Sequence, residues 1–123
     1  MDNILFDKIQ DLIDLLKRLN KIFYFLSNNS SLSTKDYLIK LKRLGLDINK
    51  DNIIISTHPT MQYLKENKFG KIYLLGTKSL ESEFIENGFE LTDRNPQCVV
   101  LAFDKELTYQ KLEKAAYFLQ DGT

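Results

Sequence analysis

Four times along its 123 residues the sequence passes from a short β-branched or aromatic run to a stretch with helical apolar spacing. That alternation restricts the chain to α/β architectures with mainly parallel strands. Residues 21–26 (KIFYFL) have no polar alternation, which predicts a strand covered on both faces. Residues 53–55, 71–76 and 98–103 read as further strands, and 89–91 as a brief one. Before and between them lie the helical patterns. Residues 4–19 place Leu5, Ile9, Leu12, Ile13, Leu16 and Leu19 on one stripe. Ser33-Thr34-Lys35-Asp36 opens a helix whose stripe, Tyr37, Leu38, Leu41 and Leu44, ends at Gly45. Residues 59–68 read as a helix opened by Pro59, and Ser79 as the cap of a helix that Asn87-Gly88 terminates. Thr108 caps a last helix over residues 109–119, with Leu112, Ala115, Ala116 and Leu119 expected to face inward.

Charge and composition narrow the function classes. Seventeen Lys and Arg balance seventeen Asp and Glu, so no net field draws the chain to a nucleic-acid backbone or an anionic membrane. At 43% hydrophobic and 28% charged residues the composition is that of a globular protein. The length suits one domain or a piece of one. A single cysteine, Cys98, excludes an internal disulfide and leaves a zinc cluster short of soft ligands. No apolar run approaches the roughly 18 to 20 residues of a membrane span. The start, Met1-Asp2-Asn3, lacks the basic region of a signal peptide. The expected compartment is the cytoplasm.

In an open α/β sheet, ligands bind where strand carboxyl ends lead into helix N-termini. Ser27-Asn28-Asn29-Ser30-Ser31 occupies such an end. Its hydroxyls, amide side chains and backbone N–H groups could converge on one phosphate or carboxylate. On composition alone the same residues also read as a plain turn with Asx and Ser caps.

Residues 25–31 (FLSNNSS), followed by Ser33, Tyr37 and Lys40-Leu41, resemble the second motif of the haloacid dehalogenase superfamily of phosphatases, class IIA, the NagD-type and 4-nitrophenylphosphatase-like subgroup. Tyr63-Leu64, residues 71–77 (KIYLLGT), Gly88-Phe89, Asn95-Pro96, Val99-Val100, Phe103-Asp104 and residues 107–112 (LTYQKL) keep the order of that family. The resemblance implies a partial Rossmann-like core (helix, parallel strand, helix) in residues 1–48, running into an incomplete α/β cap in residues 49–123. It implies that the hydroxyl of Ser27 hydrogen-bonds a substrate phosphate, that the backbone amide of Asn28 orients it, and that Asn29 lies close by, facing the cap. Phe103-Asp104 resembles the family's Gly-Phe-Asp turn, with Ala102 in place of the glycine.

Such phosphatases begin with a strand ending in Asp-x-Asp-Gly-Thr, whose first Asp attacks phosphorus and whose second serves as general acid and base. No Asp-x-Asp occurs in the 123 residues, and the family's later lysine and the acidic residues that hold Mg²⁺ have no counterpart. The expectation is a segment of a Mg²⁺-dependent phosphomonoesterase acting through an aspartyl-phosphate on a small phosphorylated metabolite, inactive by itself and binding no metal tightly. The alternative is a non-catalytic, degenerate phosphatase module that binds an anion or a partner chain. An Asp-x-Asp strand encoded just upstream would distinguish the two.

Other chemistry-bearing residues have bland readings. The ending Gln120-Asp121-Gly122-Thr123 imitates the nucleophile motif, but its attacking position would be Leu119, so it carries no catalytic role. His58, the single histidine, stands beside Pro59 as a helix-entry residue near the cap surface, and Cys98 reads as a buried, inert thiol. Lys40-Leu41-Lys42-Arg43 reads as a solvated basic face. In the resembled fold the nucleophile strand lies beside residues 21–26, so its absence exposes an apolar edge. Marginal stability, or self-association through that edge, is expected of the 123-residue chain.

Overall fold

The structure, a computed structural model, describes residues 5–120 and 122. The expectations that rest on Met1-Asp2-Asn3, on Ile4 as the helix start, and on Asp121 and Thr123 lie outside the described residues. The elements run in the order α1 (Ile9–Arg18), β1 (Phe25–Ser27), α2 (Thr34–Arg43), a single 3₁₀ turn (Lys50–Asn52), β2 (Ile53–Ile55), α3 (Thr57–Glu66), β3 (Lys71–Leu75), α4 (Lys78–Glu86), β4 (Glu90–Leu91), β5 (Cys98–Leu101) and α5 (Tyr109–Gln120). The α/β alternation of the sequence is therefore present. By its contacts the chain forms two compact units. One holds the residues up to Leu26 together with Thr34–Ile54; the other holds Ser27–Ser33 with the residues from Ile55 on.

In the first unit, α1 begins later than its apolar pattern predicts, because Lys8 adopts a left-handed backbone (φ 64°) that no helix continues through. Asn20 takes the same conformation at the other end (φ 51°), and Lys21 N–H closes on Leu16 O at 2.9 Å. Of the predicted stripe only Ile13 is buried; Leu12 and Leu19 are exposed. Helix α2 ends at Gly45, whose φ of +88° lets Leu46 N–H return to Leu41 O. Leu46, Ile48 and Ile53 are buried, and Lys17 pairs with Asp47.

The strand predicted over residues 21–26 is corrected twice. It runs only over Phe25–Ser27, because the Asn52 side chain, not a neighbouring strand, donates to the Phe23 carbonyl at 3.1 Å. Nor is it covered on both faces: Ile22 is 81% and Leu26 76% exposed. In a two-stranded sheet β1 has β2 as its neighbour, and its other edge has no strand among the described residues.

The second unit is a three-layer sandwich. Its parallel sheet has the order β4-β3-β5, with Ile72 opposite both Leu91 and Cys98, and Leu75 opposite Leu101. Strand periodicity sorts β3 between two apolar layers. Ile72 and Leu74 pack with Met61, Leu64, Leu80, Phe84, Phe89 and Val100, on the side of α3 and α4. Tyr73 and Leu75 pack with Ala115 and Phe118 of α5. The edge-on pair Tyr73–Phe118, with centroids 5.1 Å apart, and the tilted pair Phe84–Phe89, at 5.3 Å, close the two layers.

Three helix expectations are also corrected here. Helix α3 starts at Thr57, which places Pro59 in its first turn, where a missing N–H costs no helical bond. Thr77 rather than Ser79 caps α4, accepting from Leu80 N–H. On α5 the buried residues are Ala115 and Phe118, while Leu112 and Leu119 are half or more exposed. The Thr108 cap stands, with Lys111 N–H donating to its hydroxyl at 3.2 Å.

Candidate functional site

Strand β1 ends on Ser27, and the chain folds at once into a loop that its own side chains hold. The Asn29 N–H donates to Ser27 Oγ at 3.2 Å. Asn29 Oδ1 accepts from both Ser31 N–H (2.9 Å) and Ser31 Oγ (2.7 Å), an Asx turn closed twice over. The Asn29 side chain is thus turned back onto its own loop. Ser56 secures the start of the segment: its N–H donates to Ser27 O at 3.0 Å and its hydroxyl to Asn28 O at 3.3 Å. Asn28 is exposed, Ser27, Asn29 and Ser30 are half-buried, and Ser31 and Ser33 are buried. The three predicted site residues, Ser27, Asn28 and Asn29, are therefore brought together by one short turn.

The loop sits at the carboxyl ends of β3 and β5, where two anchors reach it. One is the Thr77 hydroxyl, which donates to Ser31 O at 3.0 Å; the other is the Phe103 N–H, which donates to Ser30 Oγ at 2.8 Å. Ser79 adds a hydroxyl bond to Ser33 at 2.9 Å. Gly76, just before the first anchor, lies close to its neighbours: a Cβ there would stand 3.1 Å from Leu80 Cδ2 and 3.3 Å from Leu74 Cγ. The backbone can make this turn against the core because position 76 has no side chain.

Behind the anchors lies an ion pair. Lys111 Nζ donates to Asp104 Oδ2 at 2.8 Å and to Gly76 O at 2.9 Å, and Asp104 Oδ1 accepts from Glu106 N–H at 2.7 Å. The Asp104 side chain is 1% exposed and that of Lys111 26%. The hydrogen bond to Asp104 holds the Lys111 ammonium above the usual lysine range. Sequence reasoning placed Thr77, Asp104 and Lys111 within ordered family stretches but gave them no role. The signal for Thr77 and Asp104 lay in polar residues that closely follow two strands, and Lys111, in the first turn of α5, carried none.

His58 lies in the first turn of α3, its Nε2 3.8 Å from Oε1 of the buried Glu83. Cys98 is half-buried, and burial pushes its thiol up, which fits an unreactive residue. Among the described residues no three His, Cys, Asp or Glu side chains are grouped so as to hold a metal ion. Mg²⁺ requires a near-octahedral oxygen shell with carboxylate help, so this part of the chain does not by itself fit that ion. What the loop can offer is neutral recognition of an anion at a strand end, through hydroxyl and backbone N–H groups other than those of Asn29 and Ser31, which donate within the loop. None of the described helices is long and apolar enough to cross a membrane.

Comparison with known proteins adds the following. The family model described as haloacid dehalogenase-like hydrolase matches residues 2–90. A dihydroxyacetone phosphatase of Corynebacterium glutamicum is 33% identical over 104 residues, 84% of this chain and 38% of that protein. The ribonucleotide monophosphatase NagD of Escherichia coli is 28% identical over 97 residues, 79% of this chain and 39% of that protein. Among solved structures, the 4-nitrophenylphosphatase of Thermotoga maritima superposes with a TM-score of 0.93 at 39% identity, covering 99% of this chain and 47% of that one. The chain thus spans less than half the length of each of these relatives.

Proposed function

The chain belongs to the haloacid dehalogenase-like hydrolases, and from that premise we propose that it is part of a Mg²⁺-dependent phosphatase of the NagD and 4-nitrophenylphosphatase kind. Its substrate is a small phosphate monoester. Residues 1–48 are a partial core that carries the phosphate loop in its sequence, and residues 49–123 a partial cap. The reading rests on one observation above all: Ser27, Asn28 and Asn29 are fixed at the end of β1 by the Asn29–Ser27 and Asn29–Ser31 hydrogen bonds, so the loop is shaped before any ligand arrives. Preorganised donors of this kind stabilise charge on a phosphoryl group without reorganisation when it reacts.

In the proposed reaction Ser27 Oγ–H donates to one phosphoryl oxygen, and the Asn28 backbone N–H aligns a second. Asn29 keeps the Ser27 oxygen oriented through its own N–H. The attacking carboxylate and the Mg²⁺ ligands come from outside these 123 residues, so the chain alone is inactive. The names of the relatives favour a phosphatase over a non-catalytic module. The protein works in the cytoplasm, engages neither nucleic acid nor membrane, and self-associates when alone through the edge of β1 that has no neighbouring strand among the described residues.

Two assays test this. The 123-residue chain with Mg²⁺ and 4-nitrophenyl phosphate is expected to release no phosphate. A chimera in which this chain replaces the matching segment of the Thermotoga maritima phosphatase is expected to hydrolyse the same ester. Turnover by the chain alone would overturn its inactivity; a folded but inert chimera would overturn the phosphate role.

A further inference from the structure

We propose that the Asp104–Lys111 ion pair is a positioning device for the Ser27–Ser33 loop, setting the placement of its anion-binding residues from a distance. The geometry carries this. The loop is gripped at Thr77, one residue beyond Gly76, and at Phe103, one residue before Asp104. Lys111 Nζ bonds to Gly76 O and Asp104 Oδ2 at once, at 2.9 and 2.8 Å. A single ammonium therefore ties the carboxyl end of β3 to the chain leaving β5, at the residues next to the two anchors. Without it, Ala102 N–H to Leu75 O and Lys78 N–H to Glu106 Oε2 still join the two strand exits, but Gly76 and Asp104, the residues next to the two anchors, lose their shared tie and the loop bonds loosen.

One other side chain bridges the same two strand exits. Glu106 donates its N–H to Asp104 and accepts from Lys78 N–H through Oε2, which joins the turn after β5 to the residue after Thr77 but does not reach Gly76. The Tyr73 hydroxyl donates to Lys111 O at 3.1 Å, which seats the first turn of α5 over β3 and so aims the Lys111 side chain along the strand. Burial of the Asp104 carboxylate makes the tie stringent, because a buried carboxylate without its cation is strongly disfavoured.

The consequence for phosphate rests on the proposed function; the positional claim does not. The test is amide hydrogen exchange by NMR on the full chain, comparing wild type with Lys111→Met and Lys111→Arg. The reporters are the Asn29, Ser31 and Phe103 amides, whose bonds define the loop and its anchor, against Tyr73 and Leu74 in the sheet. In Lys111→Met, exchange at the three loop reporters is expected to quicken by about tenfold or more while the sheet amides hold within about twofold, and Lys111→Arg is expected to restore protection. Unchanged loop amides, or loop and sheet amides quickening together, would overturn the proposal. Should Lys111→Met not fold, Asp104→Asn, which keeps the shape and the acceptor for Glu106 N–H, is read in the same way. Titrating the wild type with inorganic phosphate separates the two claims: no shift at Asn28 or Asn29 would count against phosphate binding, and the exchange result would stand apart from it.

Discussion

The Thr77 hydroxyl donates to the carbonyl of Ser31, 46 residues away in sequence, at 3.0 Å, and both residues are buried. The same oxygen accepts from Leu80 N–H as the cap of α4. One side chain therefore starts a helix and holds the loop. Thr77→Val, which keeps the shape and loses both bonds, is expected to destabilise the chain by about 2 kcal/mol, and Thr77→Ser to retain most of that. Urea unfolding of the two variants checks this, and equal losses in both would show that the hydroxyl is not the source.

Gly76 lies against Leu80 and Leu74 at distances a methyl group cannot meet without displacement. Gly76→Ala is expected to cost about 1 to 3 kcal/mol by overpacking. In a Leu80→Ala background the added methyl is relieved of its tightest contact and keeps the one with Leu74, so the two changes should couple and Gly76→Ala should cost less. A double-mutant cycle measures the coupling; simple additivity would contradict the steric cause.

The buried face of α5 is set by Ala115 and Phe118 against Tyr73 and Leu75. Phe118→Ala is expected to cost about 3 kcal/mol, and Leu119→Ala, at a residue 60% exposed, less than about 0.5. Chemical denaturation of both variants decides whether the inward face is this one or the one that the apolar spacing suggested.

Lys111 carries a pH signature. Its pKa is raised above the ordinary 10.5, chiefly by its hydrogen bond to Asp104. A group whose pKa rises on folding stabilises fully below its unfolded value, and that contribution is lost as pH climbs through the folded value. Lys111→Met is therefore expected to cost about 2 to 4 kcal/mol at neutral pH. The difference from wild type should stay level through the neutral range and shrink only in the lysine range and above. Unfolding midpoints across that range check it, and a difference that vanished near neutrality would contradict the pairing.

What was legible in the sequence was local. The strand-to-helix alternation, the Thr108 cap, the stop at Gly45 and the polar loop after residue 26 each follow from a few neighbouring residues, and each is present in the structure. What was not legible depends on partners far along the chain. Residues 21–24 are as β-prone as Phe25–Ser27, but the Phe23 carbonyl meets a side chain, Asn52, in place of a strand. Helix α5 carries two apolar stripes, and Tyr73 beneath it selects the one with Phe118. Ser79 and Thr77 both suit a helix cap, and the Ser31 carbonyl engages Thr77. Of the candidate site, Ser27, Asn28 and Asn29 stood out by type and by place after a strand, and the structure holds them in one turn. The anchors and the Lys111 tie required the fold.

The measurement that bears most directly on the proposed phosphate role of Ser27 is steady-state hydrolysis of 4-nitrophenyl phosphate by the chimera that carries this chain, with Ser27 intact, as Ser27→Thr and as Ser27→Ala. Ser27→Thr, which keeps the hydroxyl, is expected to stay near the parent chimera, and Ser27→Ala to lose about 100-fold in kcat/KM, the order found for a single preorganised donor to a transition-state oxyanion. A folded Ser27→Ala chimera that turned over like its parent would contradict the assignment of this loop as the phosphate site.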